Sequence, residues 1–333
     1  MSGRDDRTLP DPARVVDVIV PVYRGLEETR RCIESVLKAH CATPFELVLI
    51  DDASPEPELA SYCASLGNQP GVTVLANARN LGFVGSVNRG MSLHPDRDVV
   101  LLNSDTEVAN DWLDRLRRCA YSQADIGTAT PFSNNATICS YPFFCADNAM
   151  PAGIGLAELD QLFARVNSGE HVEIPTAIGF CVYIRRACLN KVGVFDAEHF
   201  ERGYGEENDF SRRAAKAGWR NVLCADTFVF HAGGVSFQSE RERLMANAAE
   251  VLRGLHPDYD ALVGHFVAAD TPAKYRQAVD IAQYPEVERW RTALEARPAV
   301  QKGLAVLADQ RRAGPISDEQ REIMFGSKQY AKR

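Results

Sequence analysis

The sequence predicts an α/β fold built on a parallel sheet, and two observations carry that expectation. Short β-branched or Leu-rich runs recur through the first half of the chain at Val15–Val20, Phe45–Ile50, Val72–Leu75 and Asp98–Leu102. Segments with helical spacing lie between them: Ile33, Val36 and Leu37, then Leu59, Tyr62 and Leu66, then Val84, Val87 and Met91. Apolar runs of four to six residues read as strands buried on both faces. Strand, helix, strand at this rhythm is βαβ winding, which implies parallel strands and right-handed crossovers.

The later elements follow from the same patterns. Trp112–Ala120 has amphipathic helical spacing. Thr130 to Pro175 is rich in Asn, Pro, Gly and aromatic residues, and loops with one helix near Leu156–Val166 are expected there. A strand follows over Ile178–Ile184, a helix from about Asp209 to Ala217, and closing strands at Val222–Ala225 and Phe228–Phe230. From Glu240 the chain is rich in Ala, Glu and Arg and reads as helical, and Ser317-Asp318-Glu319-Gln320 suits a capping box. The expected organisation is a disordered tail over 1–14, an α/β domain over 15–239 and a helical extension over 240–333.

Bulk properties narrow the function. A formal charge of −8 argues against a nucleic-acid partner, which selects a basic surface. The segment Met1 to Asp11 has no apolar core of a secretory leader, and no run of about 18 apolar residues suggests a membrane span. Nine cysteines, odd in number and without a Cys-x-x-Cys pair, suit small buried hydrophobes in a reducing compartment. The cytoplasm, or the cytoplasmic face of a membrane, is the expected location.

Ligands of open α/β sheets bind at the carboxyl ends of the strands. Four polar clusters fall there. Pro21-Val22-Tyr23 ends the first strand, and Asp51-Asp52-Ala53-Ser54 ends the second. Adjacent carboxylates there meet a ligand hydroxyl, a base edge or a metal, or else Asp52 or Ser54 caps the helix that follows Pro55. Asn103-Ser104-Asp105 follows the fourth run, where a carboxylate can hold a divalent cation bridging a diphosphate or can form an Asx turn. Gly205-Glu206-Glu207-Asn208-Asp209 opens a helix, so its acids either answer the helix dipole or supply a general base. His231, before Gly233-Gly234, is a structural residue or a ligand.

In their joint order these clusters resemble the family 2 glycosyltransferases of GT-A fold, from roughly Asp17 to Phe237. Val18-Ile19-Val20-Pro21-Val22-Tyr23 is similar to the family's first strand, and Leu49-Ile50-Asp51-Asp52-Ala53-Ser54 to its nucleotide-binding Asp motif. Asn80-Leu81-Gly82-Phe83 with Asn88-Arg89-Gly90 resembles the segment beside the nucleoside. Asn103-Ser104-Asp105 stands at the family's DxD metal motif, Gly205–Asp209 at its acidic catalytic motif, and His231–Gly234 at its late His segment. Two positions depart from the usual pattern: Asn103 replaces the first Asp of DxD, and Glu207 replaces the Asp of Glu-Asp.

The resemblance implies a Rossmann-like nucleotide-diphospho-sugar transferase fold and a single displacement with inversion, from a UDP- or dTDP-sugar to an acceptor hydroxyl. Asp105 is then the ligand of Mg²⁺ or Mn²⁺, with His231 completing the shell. Glu207 is the base, with Glu206 and Asp209 as the other candidates. Pro21, Tyr23, Asp51, Asp52, Arg79, Asn80, Asn103 and Ser104 line the donor site, Arg185 and Arg186 meet phosphate or at least one of them lies on the surface, and Gly179 admits the sugar. The acceptor is a glycan, a lipid-linked intermediate or a protein, in cell-surface polysaccharide, O-antigen or other glycoconjugate synthesis, with peripheral membrane contact compatible with such acceptors. A nucleotidyltransferase is disfavoured because Tyr23-Arg24-Gly25-Leu26-Glu27 lacks a basic, Gly-rich triphosphate loop. The alternative is a catalytically degenerate sugar-nucleotide-binding or scaffold module of a multi-domain assembly protein. The helices after Glu240 would then dock a second copy or a partner domain.

Overall fold

The computed structural model describes residues 14–200, 203–233 and 238–305. The N-terminal tail up to residue 13, the Ser317–Gln320 capping box, Gly234 and Phe237 lie outside the described residues.

The first half winds as expected. β1 (Val16–Val22), α1 (Leu26–Lys38), β2 (Phe45–Asp51), α2 (Pro57–Leu66), β3 (Val72–Ala76), α3 (Gly82–Met91) and β4 (Val99–Leu102) alternate in order. β1 pairs in parallel with both β2 and β4, and β2 with β3. Alternate residues along these strands enter two separate cores. Val18, Val20, Leu47, Leu49, Val100 and Leu102 pack on one face with α1 and α2, while Ile19, Val48, Ile50, Val99 and Leu101 pack on the other with α3. Burial on both faces is why these strands read as unbroken apolar runs.

The second half departs from the expected parallel sheet. It contains β5 (Thr106–Glu107), α4 (Trp112–Ala120), β6 (Ile126–Phe132), α5 (Leu156–Val166), β7 (His171–Ile174), β8 (Cys181–Ile184), α6 (Arg186–Val192), α7 (Glu206–Lys216), β9 (Arg220–Phe228) and β10 (Phe230–His231). The eight-stranded sheet has the order β3-β2-β1-β4-β8-β6-β9-β7, and β5 pairs separately with β10. β8 runs antiparallel to β4 and β6, and β7 antiparallel to β9. The sheet is therefore mixed.

Each misread element has a local cause. β6 is buried along its whole length, yet Gly127, Thr128, Thr130 and Pro131 interrupt its apolar run. β7 has four residues at the sheet edge, only Ile174 of them buried. The strand expected over Ile178–Ile184 begins at Cys181. The two closing strands are largely one, with a register irregularity opposite Pro131/Phe132. Buried Asp226 at that irregularity accepts from Arg118 and from the Gly169 amide, both at 2.9 Å, which offsets its desolvation.

The chain continues through α8 (Gln238–Leu255), α9 (Tyr259–Ala269), α10 (Ala273–Gln283), α11 (Pro285–Glu295) and α12 (Pro298–Ala305). A first compact unit runs through Gln283 and a second begins at Tyr284, so the boundary expected at 239/240 lies inside the first unit. Leu252 of α8 joins the core of α3, α6 and α7, and Phe266, Tyr275 and Val279 join the opposite core. α11 in the second unit exposes Val287 and Trp290. Among the described residues no helix is long and apolar enough to cross a membrane.

α3 meets the sheet at Gly90, where a Cβ would lie 2.7 Å from Ile19 Cγ2 and 2.9 Å from Ile50 Cδ1. Gly90→Ala is expected to destabilise the protein by about 1–3 kcal/mol through overpacking, read as a lowered urea midpoint with an unchanged m value.

Candidate active site

The first cluster is built by the ends of β1, β2 and β3. Pro21 and Tyr23 are half-buried at the end of β1. The two adjacent aspartates diverge. Asp51 stays partly exposed, and its Oδ1 accepts from the Ser54 amide at 2.8 Å across Ala53, which has a left-handed φ of 53°. Asp52 is 4% exposed, and its Oδ1 accepts from Asn77 Nδ2 at 2.8 Å and from the Leu81 amide at 2.7 Å. Neither caps α2, whose N-cap residue is Glu56. Asp52 thus ties the segment after β3 to the end of β2. Arg89 completes the tie by donating to Ala76 O and Asn77 Oδ1, while Asn80 Oδ1 accepts from the Gly82 amide. A cleft of about 470 Å³ opens there, lined by Ala76, Asn77, Ala78, Arg79, Leu81 and Arg89.

The second cluster joins residues far apart in sequence. The Asn103 amide donates to Phe180 O at 2.9 Å, which sets the turn of Asn103, Ser104 and Asp105 against the sheet. The β5–β10 ladder pairs Thr106 with His231 and so brings Asp105 beside the imidazole. His231 Nε2 lies 3.4 Å from Asp105 Oδ1, and the Gly233 amide donates to Asp105 Oδ2 at 3.2 Å. Nδ1 of His231 is 2.7 Å from Asn135 O and donates to it, so Nε2 is the nitrogen turned toward the carboxylate. Phe180 stacks on the ring at 5.3 Å and 21°.

Burial opposes charge on both groups, but their mutual hydrogen bond and attraction prevail, raising His231 and holding Asp105 below its ordinary value. One carboxylate and one oriented imidazole, each held by further hydrogen bonds, fit a divalent cation that shares its remaining positions with phosphate and water. Asn103 offers a neutral amide at the departing position.

Asp105 and His231 are a pair; among the described residues, one group of three acid and imidazole side chains lies close enough together to hold a metal, Asp17, Glu46 and His94. It sits toward the amino ends of β1 and β2, away from the strand ends just described. Arg97 NH1 already bridges it, at 2.9 Å from Asp17 and 2.6 Å from Glu46. An incoming cation would meet a guanidinium there, so this cluster reads as a structural charge network.

The acidic turn lies inside α7, which begins at Glu206 and not at Asp209. Gly203, Tyr204 and Gly205 precede it with φ of 96°, 69° and 99°. Glu206 is 4% exposed with Oε2 unpartnered, and burial followed by the charge of Glu207 pushes its carboxyl well up. Glu207 is half-buried, and burial raises it also, against the pull of nearby backbone amides. A Cβ at Gly179 would lie 3.7 Å from Glu207 Cδ, so glycine leaves the space over this carboxylate open. Asp209 is committed to the fold: its oxygens bind Arg213 Nε at 2.7 Å and His256 Nε2 at 2.8 Å.

Arg185 and Arg186, expected near phosphate, are buried at 0% and 6% exposure. Arg185 donates to the Ala124 and Ile126 carbonyls and covers the Tyr121 ring at 4.1 Å. Arg186 donates to the Met91 and Arg97 carbonyls. Both hold the far end of the sheet together. Asn77, Asn135 and Phe180 were not singled out from the sequence, since a lone Asn or Phe carries no pattern until its partner is in place.

Residues 17–193, more than half of the chain, match the model of the glycosyl transferase family 2. The chain belongs to that family. An uncharacterised protein of Sinorhizobium fredii, y4gI, is 30% identical over 104 residues, covering 31% of this chain and 11% of the relative. The uncharacterised glycosyltransferase YibD of Escherichia coli is 33% identical over 95 residues, covering 28% of this chain and 26% of that protein. The matches thus span about a quarter or less of these curated relatives. Among solved structures, GalNAc-T7 with UDP, GalNAc and Mn²⁺ shares the fold at a TM-score of 0.54 and 18% identity, over 81% of this chain and 55% of that one. The mannosyltransferase PcManGT of Pyrobaculum calidifontis, in complex with GDP-Man and Mn²⁺, does so at 0.51 and 14%, over 90% and 86%. The fold of this family 2 glycosyltransferase is therefore GT-A.

Asp52 carries the tie between β2 and the segment after β3. Asp52→Ala is expected to cost about 1–3 kcal/mol by unpairing the Leu81 amide and Asn77. Hydrogen exchange should show the loss of protection confined mainly to residues 77–82.

Proposed function

We propose that this chain transfers a sugar from a nucleoside-diphosphate sugar, UDP- or dTDP-linked, to an acceptor hydroxyl with inversion at the anomeric carbon. One observation carries the reading. Gly179 faces Glu207, and the next residue, Phe180, stacks on His231 and accepts from the Asn103 amide. A basic carboxylate and a cation-ligating pair therefore flank one short segment.

In this reading the cleft held by Asp52 receives the nucleoside, with Asp51 and Arg79 at its edge. Asp105 and His231 would hold a divalent cation, Mg²⁺ or Mn²⁺, which when bound would supply Lewis-acid neutralisation of the departing diphosphate. Glu207 accepts the proton of the acceptor hydroxyl as the new glycosidic bond forms and the bond to the diphosphate oxygen breaks. Burial has brought Glu207 above its ordinary value, which suits a base working near neutrality. The nine free cysteines, seven of them buried, support a reducing compartment such as the cytoplasm. The acceptor is a hydroxyl on a glycan, a lipid-linked intermediate or a protein.

Calorimetric titration with UDP, dTDP, GDP and CDP, with and without Mn²⁺, tests the donor site. One nucleotide should bind only with the cation, and Asp105→Ala should weaken it at least roughly tenfold. Equal binding by the substituted chain, or binding of no nucleotide, would sink the proposal.

The base is tested separately. Glu207→Gln should lower kcat by roughly 10²- to 10⁴-fold while nucleotide affinity stays unchanged. Because Glu207 must be ionised to act, kcat should fall as pH drops through its raised value, placing the acid limb above the ordinary 4.5 of glutamate. An acid limb at or below that value would count against it.

A further inference from the structure

Three side chains close over the first turn of α7 from beyond it. Asn208, next to Glu207, has its Oδ1 2.9 Å from Tyr259 Oη at the start of α9 and 2.7 Å from Thr176 Oγ1 in the segment after β7. Its Nδ2 lies 3.4 Å from Glu207 Oε1. An amide whose oxygen receives hydroxyl donors must turn its N–H groups the other way, here toward the carboxylate. A 3.4 Å contact is long for a hydrogen bond, as is common in catalytic groups before substrate arrives.

The turn is held from the same side by His256, just after α8. His256 is 4% exposed, places Nε2 2.8 Å from Asp209 and receives Lys216 Nζ at Nδ1, also at 2.8 Å. Arg212 of α7 meets Asp258 at 2.7 Å. These three contacts join α7 to the junction between α8 and α9.

We infer that Tyr259, through Asn208, is a positioning residue for Glu207: its hydroxyl fixes the amide so that an N–H faces the carboxylate and favours its charged form. The inference rests on the reading of Glu207 as the base, and it assigns α8 and α9 a part in the site beyond covering the sheet. Tyr259 suits the task because burial, then the neighbouring charge of Glu207, raises its phenol and keeps it a neutral donor. The charged groups around the relay are Glu206 on α7, Arg212 on α7 and Asp260 on α9. None of them donates a hydrogen bond to Glu207, whose charged form is already favoured by the backbone amides of Glu207, Gly205 and Asn208, so the Asn208 side chain adds one donor to theirs.

The test uses the full chain. Tyr259→Phe keeps the ring and removes the hydroxyl, and Asn208→Ala removes the amide. Carbon-13 NMR of the glutamate δ-carboxyls should show Glu207 titrating higher in both variants, by roughly 0.5–1 pH unit. With the nucleotide sugar, Tyr259→Phe should lower kcat by about three- to tenfold below the new midpoint while donor KM stays within about twofold. Its acid limb should move up in step with the NMR midpoint. A Glu207 titration unchanged in both variants would overturn the inference, as would equal changes in kcat at every pH. The titration needs no substrate, so a wild-type chain that fails to turn over would sink the transferase reading and leave the NMR result to decide the relay. A thermal melt of each variant separates lost folding from lost positioning.

Discussion

Helices cover both faces of the sheet, and that constraint organises everything else in the molecule. A polar side chain in the middle of β1, β2 or β4 would lose water without a partner, at a cost comparable to the whole margin of stability. Asp17 meets this constraint near the amino end of β1 by pairing with His94 and Arg97. The other polar groups of β1, β2 and β4 collect at the strand ends, and the segments entering and leaving each strand must supply their partners. Asn103, Asp51 and Pro21 end up on one rim because their strands are adjacent in the order β2-β1-β4.

At that rim, the fate of each carboxylate is decided by what faces it. Asp52 and Asp209 are at least as buried as Glu206, yet both are engaged, by Asn77 and the Leu81 amide at Oδ1 in one case and by Arg213 and His256 in the other. Glu206 keeps an oxygen without a partner, and Glu207 lies beneath Gly179, where a Cβ would stand 3.7 Å from its Cδ. Asp105 is answered by an imidazole whose other nitrogen is already bound. Groups with spent hydrogen bonds build the frame. Those left raised or partly answered are the candidates for acting on a ligand under the proposed function.

The helices after residue 238 extend this logic. α8 and α9 bury Leu252 and Phe266 in the two cores and also send His256 and Tyr259 to the acidic turn. Packing and positioning are therefore carried by the same segment. The compact unit closes at Gln283 for that reason, since a break near residue 239 would expose apolar surface on both faces of the sheet.

The sequence by itself determined the winding of β1 to β4, because strands buried on both faces must be continuously apolar and the helices between them amphipathic. It also marked the rim clusters at Asp51, Asp105, Glu207 and His231, because each breaks an apolar run at a strand or helix end. Only the tertiary structure decided the antiparallel placement of β8 and β7. β6, interrupted by Gly127 and Pro131, and β7, short and at an edge, have no periodicity to report direction. The same holds for the partners of each acid. That Asp209 is spent, that Arg185 and Arg186 are buried braces, and that Asp105 meets an imidazole 126 positions later all depend on long-range contacts. A residue's type limits what it can bind, but its pairing is settled by which strands lie side by side.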